Sequence, residues 1–258
     1  MAAPLGASAE AALLLLVLAA VALSCGDALS LDLYDESCPE AEAAVTAAVR
    51  QAMANDRTVA AGLLRMHFHD CFVRSGGPWW VVAVGRRDGR LSLANETTAL
   101  PGPTASFEQL KQAFHGRGLS TKDLVVLSGA HTLGFAHCSS FQNRIWVQGA
   151  ADPSLSPSFA AALRRACPAN NTVRAAGSGL DATSAAFDNT YYRMLQAGRG
   201  LLSSDEALLT HPKTRAFVAL YAASQEAFFR AFAKSMLRMA ALNGGDEVRA
   251  NCRRVNSS

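Results

Sequence analysis

The sequence predicts a mainly helical globular protein. Half of its 258 residues are hydrophobic and 17% are charged, which is enough apolar content for one sizeable core, or for two lobes that share one. Long stretches are rich in Ala, Leu, Met, Glu and Arg, which are good helix formers, and Gly, Pro or Asn-Asp pairs interrupt them. The net charge of +3 is spread along the chain without a basic block, so nothing indicates a nucleic-acid partner.

The first part of the chain contains an uncharged apolar run, "AALLLLVLAAVALS" at 11–24. This run is too short to span a bilayer comfortably, and small residues follow it, so we predict a secretory signal peptide over residues 1–28 rather than a membrane anchor. The segment before the run argues against this, because it has no Lys or Arg and carries Glu10. No other segment approaches about 18 apolar residues, so we expect a secreted, extracellular protein with no membrane contact after cleavage.

Secretion would make disulfides and Asn-linked glycans possible. Of six cysteines, Cys25 lies within the predicted signal peptide, and the odd number left suggests a free thiol, an intermolecular bridge or a lost partner. The other cysteines are Cys38, Cys71, Cys138, Cys167 and Cys252. Asn-x-Ser/Thr sequences occur at Asn95, Asn170 and Asn256.

The first predicted helices lie within residues 38–72. Asn55 and Asp56 form a break that divides this stretch into two helices. The first helix carries an apolar stripe at helical spacing, which we expect to face the core. The stripe consists of Ala41, Ala44, Val45, Ala48 and Val49.

Residues 75–103 have a different character. This stretch contains several Gly and Pro residues and a short run of aromatic and apolar residues, which indicate short strands and turns. For the helix that begins near residue 120, Ser120 or Thr121 is the expected N-cap, and Asp123 lies in the first turn. Helical composition is found over 107–118, 120–134, 157–168, 186–198 and 214–245, the last as two pieces.

The motif "RMHFHDC" places two complementary side chains together. On a helix, Arg65 and His69 lie one above the other, with Phe68 beside them. Because a nearby cation lowers the pKa of an imidazole, His69 would stay neutral and basic, ready to take a proton while Arg65 stabilises negative charge. The alternative is a helix end where the His and Asp side chains serve as structural caps and ion pairs.

The motif "DLVVLSGAHTLG" places His131 at the end of an apolar helical run. The small residues Gly129 and Ala130 beside it would let a flat molecule approach the backbone. A histidine in such a position is more often a core residue than a ligand. A carboxylate that accepts its second N–H would favour the ligand, because metal-bound imidazole usually donates that N–H, and Asp205 in "GLLSSDEALL" is the candidate.

Four residues offer the hard oxygen ligands that calcium prefers. An ordinary polar loop with a helix cap explains the same residues. A zinc site built from His67, His69 and His131 is a weaker hypothesis, because the first two diverge on a helix and no zinc spacing is matched. The candidate calcium ligands are Thr132, Asp181, Thr183 and Asp188.

These motifs resemble those of the secreted plant haem peroxidases (class III). The matching blocks run in family order over nearly the whole chain: "YDESCP", "LLRMHFHDCFV", "GGPWWVVAVGRRDG", "DLVVLSGAHTLGFAHC", "FDNTYY", "GLLSSDEAL" and "VRANCRRVN". The resemblance implies an all-α haem peroxidase fold over residues 29–258, with minor β hairpins and haem b between a distal and a proximal lobe. It implies a monomeric enzyme of the apoplast or cell wall that reduces hydrogen peroxide and oxidises small phenolic donors by one electron each.

The resemblance also implies roles for single residues around the haem. His131 would be the axial ligand of the iron, with Asp205 accepting its N–H. His69 would take a proton from hydrogen peroxide, and Arg65 would help to split the O–O bond. Phe68 would pack on the distal face of the haem.

Further positions match the family outside the haem ligands. Pro101 matches the place where aromatic donors dock, and the four candidate calcium ligands match a proximal calcium site. Asp70 and the carbonyl of Val73 match part of a distal calcium site. Cys138 and Cys167 match a disulfide of the family.

Compared with the family, the chain lacks a segment between Arg74 and Ser75. About sixty residues are absent, or about 90 Å of helix at 1.5 Å per residue. They would supply further distal calcium ligands, an asparagine that accepts the N–H of the distal histidine, contacts to a haem propionate, and three cysteines. Cys38, Cys71 and Cys252 therefore lack their family partners.

The alternative to an active enzyme is a secreted peroxidase-like glycoprotein, from a shortened transcript or gene model, that does not turn over peroxide.

Overall fold

The computed structural model describes most of the chain from Tyr34 onwards. The predicted signal peptide lies outside the described residues, and so does the distal motif with Arg65, Phe68, His69, Asp70 and Val73. Among the described helices, none is long and apolar enough to cross a membrane. The described residues are 34–56, 59, 77–78, 80–81, 85, 87–91, 93, 95, 100–147, 149–242, 247–251 and 254–256.

Helices account for most of the regular secondary structure among the described residues, and this confirms the all-α fold class. The helices are α1 (Ala41–Asn55), α2 (Phe107–His115), α3 (Thr121–Ser128), α4 (Gln142–Ile145), α5 (Pro157–Ala166), α6 (Thr190–Gln196), α7 (Ser203–Glu206), α8 (Pro212–Ala223) and α9 (Gln225–Ala240). Short 3₁₀ turns lie at Gly129–Thr132, Cys138–Ser140 and Ala207–Leu209.

The β-structure differs from the expected hairpins. The one sheet among the described residues pairs β1 (Phe135–His137) antiparallel with β2 (Gly177–Gly179), with Ala136 opposite Ser178. The two strands are far apart in the chain, so no tight turn joins them. In the part of 75–103 that the structure describes, Asp88 forms an isolated antiparallel bridge with Glu247, and no longer strand is present. The pairing depends on tertiary contact, which a local strand pattern does not reveal.

Helix boundaries follow the local signals in the sequence. α1 ends at Asn55, with Asp56 as its C-cap, and α8 and α9 are separated at Ser224. Ser120 is the N-cap of α3. Its Oγ accepts the Asp123 N–H at 3.2 Å, and Asp123 Oδ2 accepts the Ser120 N–H at 2.9 Å, so this capping box satisfies two backbone donors.

The predicted core stripe of α1 is wrong for most of its residues. Ala44, Val45 and Ala48 are exposed, and 46% of the surface of Val45 is accessible. The buried side chains are Val49 and Met53, which lie one turn apart on a single face. An Ala-rich helix has apolar residues on several faces, so packing against the rest of the core selects the buried one.

The main core lies where α3, α6, α8 and α9 meet, and its centre is aromatic. The ring of Phe228 stacks on Phe187 at a centroid distance of 5.4 Å and meets Tyr192 edge to face at 5.0 Å. Aromatic pairs in these geometries add to the stabilisation from hydrophobic burial. The core therefore supports the end of α3, from which the chain passes directly to His131.

A second apolar cluster surrounds a disulfide between Cys138 and Cys167. The bond confirms the pairing that the family resemblance implied, and it joins the end of β1 to the end of α5. Cys38 is exposed and free. The cysteines outside the described residues are Cys25, Cys71 and Cys252.

Candidate functional site

His131 and Asp205 lie together, although 74 positions separate them in the chain. His131 belongs to the 3₁₀ turn that follows α3, and Asp205 lies in α7. Nδ1 of His131 is 2.7 Å from Oδ1 of Asp205. The carboxylate is 2% exposed and the imidazole 36% exposed, so the ring extends outward from a buried partner.

This contact determines the tautomer of the imidazole. An ionised carboxylate can only accept a hydrogen bond, so Nδ1 of His131 carries the proton, and in the neutral imidazole the ring lone pair lies on Nε2. Histidine ligands of metal ions are usually oriented in this way by a carboxylate or a carbonyl. The pair of His131 and Asp205 therefore fits the proximal ligand set of a haem iron.

Asp205 has two further hydrogen-bond donors. The hydroxyl of Tyr191 donates to Oδ1 at 3.0 Å, and the backbone N–H of Leu202 donates to Oδ2 at 3.0 Å. Burial, together with the charge of Asp205, raises the pKa of Tyr191 well above its usual value, so the hydroxyl keeps its proton. No pattern in the sequence singles out Tyr191 by itself. Its place in the "FDNTYY" block was the signal that could have drawn attention to it.

Arg144 supports the segment that leads into α7. It is 1% exposed and donates to the carbonyl oxygens of Gly200 and Leu202. Its guanidinium also lies 2.9 Å from Asp152 and 3.5 Å from Glu206. The sequence does not reveal the role of Arg144, because an arginine in "FQNRIW" gives no sign of burial.

Gly129 is required for packing inside the protein. A Cβ atom at this position would lie 2.3 Å from the hydroxyl oxygen of Tyr192 and 2.6 Å from the ring of Phe228. The expectation that Gly129 opens the backbone to a flat molecule is therefore wrong. The aromatic side chains of α6 and α9 occupy that space.

The four candidate calcium ligands converge next to His131. Oγ1 of Thr132 lies 2.8 Å from Asp181 and 3.3 Å from Asp188, and Oγ1 of Thr183 lies 3.1 Å from Asp188. Burial raises the pKa of Asp181; hydrogen bonds from Thr132 and Thr183 oppose this, and the charge of Asp188 raises it further.

Two carboxylates beside two hydroxyls form an oxygen-rich set that a divalent cation would stabilise. Within the described ranges, no three His, Cys, Asp or Glu side chains form a possible metal site. The hydroxyl oxygens of Thr132 and Thr183 are therefore essential to the fit with calcium.

Pro101 is exposed on the loop before α2. Two residues later, the carbonyl of Pro103 accepts the N–H of Ser204 at 3.0 Å. Ser204 directly precedes Asp205. This bond therefore attaches the loop that carries Pro101 to the helix that carries the partner of His131.

The three predicted glycosylation sites differ in their surroundings. Asn95 and Asn170 are exposed, whereas Asn256 is half-buried. Nδ2 of Asn256 donates to the carbonyl of Val248 at 2.8 Å, and its Oδ1 accepts the Ala250 N–H at 3.0 Å. Because a glycan is attached at Nδ2, the folded chain presents Asn256 less readily than the other two.

Comparison with known proteins gives a consistent assignment. A sequence model of the peroxidase family, described as Peroxidase, matches residues 74–224, which is more than half of the chain. Peroxidase 64 of Arabidopsis thaliana is 48% identical over 295 residues, covering 88% of this chain and 93% of the relative. Peroxidase 66 of Arabidopsis thaliana is 38% identical over 298 residues, with coverage of 89% and 92%. Peroxidase 66 of Zea mays is 34% identical over 311 residues, with coverage of 95% and 95%.

These three alignments are longer than the chain itself. The alignment with Peroxidase 64 extends over 295 residues, more than the 258 of the whole chain, so part of that relative has no counterpart here. The matches nevertheless favour an active enzyme over a peroxidase-like glycoprotein without activity. Their extent and agreement show that the chain belongs to the plant peroxidase family and is an oxidoreductase that acts on hydrogen peroxide.

Proposed function

We propose that this chain is a secreted haem peroxidase that reduces hydrogen peroxide and oxidises small phenolic donors in one-electron steps. The observation that supports this most directly is the contact between His131 and Asp205 in a chain 48% identical to Peroxidase 64. The corresponding roles are removal of hydrogen peroxide, the response to oxidative stress, and phenolic or lignin chemistry in the cell wall.

The proposed cofactor is haem b, which supplies the iron that exchanges electrons with peroxide and donor. Nε2 of His131 would hold that iron. Asp205 would accept the Nδ1–H and make the imidazole a stronger electron donor. Arg144 contributes indirectly, because it orders the backbone of the segment that precedes Asp205.

On the peroxide side, His69 would take a proton from hydrogen peroxide. Arg65 would stabilise the negative charge that develops as the O–O bond breaks. Phe68 would cover the distal face of the cofactor, and Pro101 would contact the phenolic donor. The exposure of Pro101, on a loop attached to α7, supports access of a donor from solvent.

We further propose that the mature domain, residues 29–258, has a shortened distal lobe, with the break at about 74/75. Two findings support this: the family match begins at residue 74, and the alignment with Peroxidase 64 is longer than this chain. The missing segment would include the asparagine that orients the distal histidine. Loss of such a group typically lowers activity at a metal site by about 10- to 100-fold, so we expect weaker turnover than in complete relatives.

Calcium is proposed as a structural ion at the proximal site. Thr132, Asp181, Thr183 and Asp188 would bind it, and their convergence supports the proposal. Because Thr132 directly follows His131, an ion at this place would restrain the backbone of the haem ligand. At the distal site, the remnants Asp70 and Val73 would lack their further ligands, so we expect no ion there.

The proposed location is the apoplast or cell wall, after removal of residues 1–28 and without membrane contact. We propose that the mature protein is a monomer. The exposure of Asn95 and Asn170 supports glycans at these two positions more than at Asn256.

A haem titration of the refolded mature chain, with and without calcium, tests the proposal. We expect saturable one-to-one uptake that calcium strengthens, followed by peroxide-dependent oxidation of a phenol such as guaiacol. His69→Ala should retain haem and lose phenol oxidation. Absence of saturable uptake would contradict the proposal, and uptake without any phenol oxidation would support the inactive glycoprotein instead.

A further inference from the structure

One oxygen of Asp205 accepts two side-chain hydrogen bonds. Oδ1 lies 2.7 Å from Nδ1 of His131 and 3.0 Å from the hydroxyl of Tyr191. The other oxygen, Oδ2, accepts the backbone N–H of Leu202 at 3.0 Å. Asp205 is 1% exposed and Tyr191 2% exposed, so both side-chain bonds form away from bulk solvent.

The two donors on Oδ1 compete for the same electron density. A carboxylate oxygen that accepts a second hydrogen bond has less negative charge to offer to the first. This effect is largest in the low dielectric of a buried site. The hydroxyl of Tyr191 therefore weakens the pull of Asp205 on the Nδ1 proton of His131.

The ring of Tyr191 is held in place independently of its hydroxyl. It meets His131 edge to face at a centroid distance of 5.9 Å, and Tyr192 at 5.0 Å. Helix α6 is anchored at its start, because the N–H of Thr190 donates to Asp188 at 2.7 Å. A phenylalanine in place of Tyr191 would keep these contacts and remove only the competing donor.

We propose that Tyr191 is a positioning residue that limits how much negative charge Asp205 confers on His131. The proposal deepens the proposed function, since it rests on His131 as the iron ligand. A more anionic imidazole favours the oxidised form of the iron and lowers its reduction potential. The Tyr191 hydroxyl therefore keeps that potential higher than His131 and Asp205 alone would set it.

The neighbouring Tyr192 provides a matched control. It is 0% exposed and belongs to the same helix and the same aromatic cluster. Its single O–H, however, is shared between the backbone carbonyls of Val125 and Val126, whose oxygens lie at 3.0 and 3.2 Å. Tyr192→Phe thus removes an equally buried hydroxyl without changing the hydrogen bonds of Asp205.

The test compares the wild-type chain with Tyr191→Phe and Tyr192→Phe at a single pH. In the haem-loaded protein, we expect the midpoint potential of the iron to shift downward in Tyr191→Phe and to stay at the wild-type value in Tyr192→Phe. In the haem-free protein, we expect the ¹⁵N resonance of His131 Nδ1 to shift downfield in Tyr191→Phe alone, because its hydrogen bond to Asp205 strengthens. Far-ultraviolet circular dichroism checks that both variants are folded.

An unchanged or raised potential in Tyr191→Phe would overturn the proposal, and so would equal shifts in the two variants. The ¹⁵N measurement separates this proposal from the proposed function. If the chain takes up no haem, the role of His131 as iron ligand fails. The resonances of the haem-free variants still show whether Tyr191 competes for Asp205, and the same resonance in all three proteins would contradict that competition.

Discussion

The polar side chains around His131 each have a partner that sets their chemical state. Asp205 keeps the proton of His131 on Nδ1, and burial keeps the Tyr191 hydroxyl protonated. Arg144 lies between two carboxylates and the carbonyls of the segment before α7. At the residue scale, the site is therefore a short chain of hydrogen bonds that leads from a buried arginine to a part-exposed imidazole.

Replacing His131 by Ala should abolish haem binding, because the proposed axial ligand is removed. The measurement is a haem titration followed by absorbance. His137→Ala is the matched control, since His137 is exposed on β1 and lies outside the site. A normal spectrum of bound haem in His131→Ala would disprove the assignment of this residue.

Replacing Arg144 by Met should lower the free energy of unfolding by about 3 kcal/mol, because the buried partners of the guanidinium lose their donor. We expect weaker haem binding as well, since the segment that leads to Asp205 is less ordered. Urea unfolding and haem titration measure the two effects. Arg144→Lys retains the charge without the planar fork, so its stability should be intermediate. Wild-type stability in both variants would show that Arg144 has no supporting role.

At the scale of elements, Asp123 joins α3 to α9. Its Oδ2 accepts the N–H of Ser120, and its Oδ1 accepts the hydroxyl of Ser235 at 2.7 Å and Nε of Arg238 at 2.9 Å. One carboxylate thus caps the helix that leads to His131 and attaches it to the longest helix that the structure describes.

The stability contributed by Asp123 should depend on pH. Burial by itself raises the pKa of Asp123, but hydrogen bonds from Arg238, Ser120 and Ser235 outweigh it and lower the pKa to about 2. Because the pKa is lower in the folded than in the unfolded chain, where it is about 3.9, the stabilisation is present above about pH 4 and is lost as the pH falls towards 2.

Thermal unfolding between pH 2 and 6 measures this contribution. Asp123→Asn should be less stable than the wild type above pH 4, and the difference should shrink as the pH approaches 2. Glu108→Gln removes one charge from an exposed position and serves as the control. A difference between Asp123→Asn and the wild type that is constant with pH would contradict the prediction.

At the scale of the whole molecule, two apolar clusters stabilise the fold. The aromatic cluster is built from helices, whereas the second cluster contains short elements around a covalent bond. Cys138 and Cys167 are 29 positions apart, and closing a loop of this size restricts the unfolded chain. We expect the short elements around β1 and β2 to depend on this restriction.

The double substitution Cys138→Ser with Cys167→Ser should lower the free energy of unfolding by about 3–4 kcal/mol. Calorimetry or urea unfolding provides the measurement. Cys38→Ser is the control, because Cys38 is exposed and free, and it should behave like the wild type. If the double variant unfolds at the wild-type midpoint, the disulfide does not stabilise the domain.

Local signals were sufficient for much of the fold. Helix formers between Gly and Pro breaks predicted α1 to α3, α5, α6, α8 and α9, and the capping residue Ser120 predicted the start of α3. These features depend on residues within one or two turns of each other, so they can be predicted from the linear sequence. The motif with His131 left its role open, because a histidine after an apolar helix is more often a core residue than a ligand.

Contacts between distant segments required the folded structure. Packing alone brought Asp205 to His131, selected the Val49 face of α1, and buried Arg144 and Tyr191 at the site. The physical reason is that side-chain burial and long-range hydrogen bonds depend on how whole helices meet. Residue type limits which partners are possible, and the surrounding core determines which of them a side chain actually reaches.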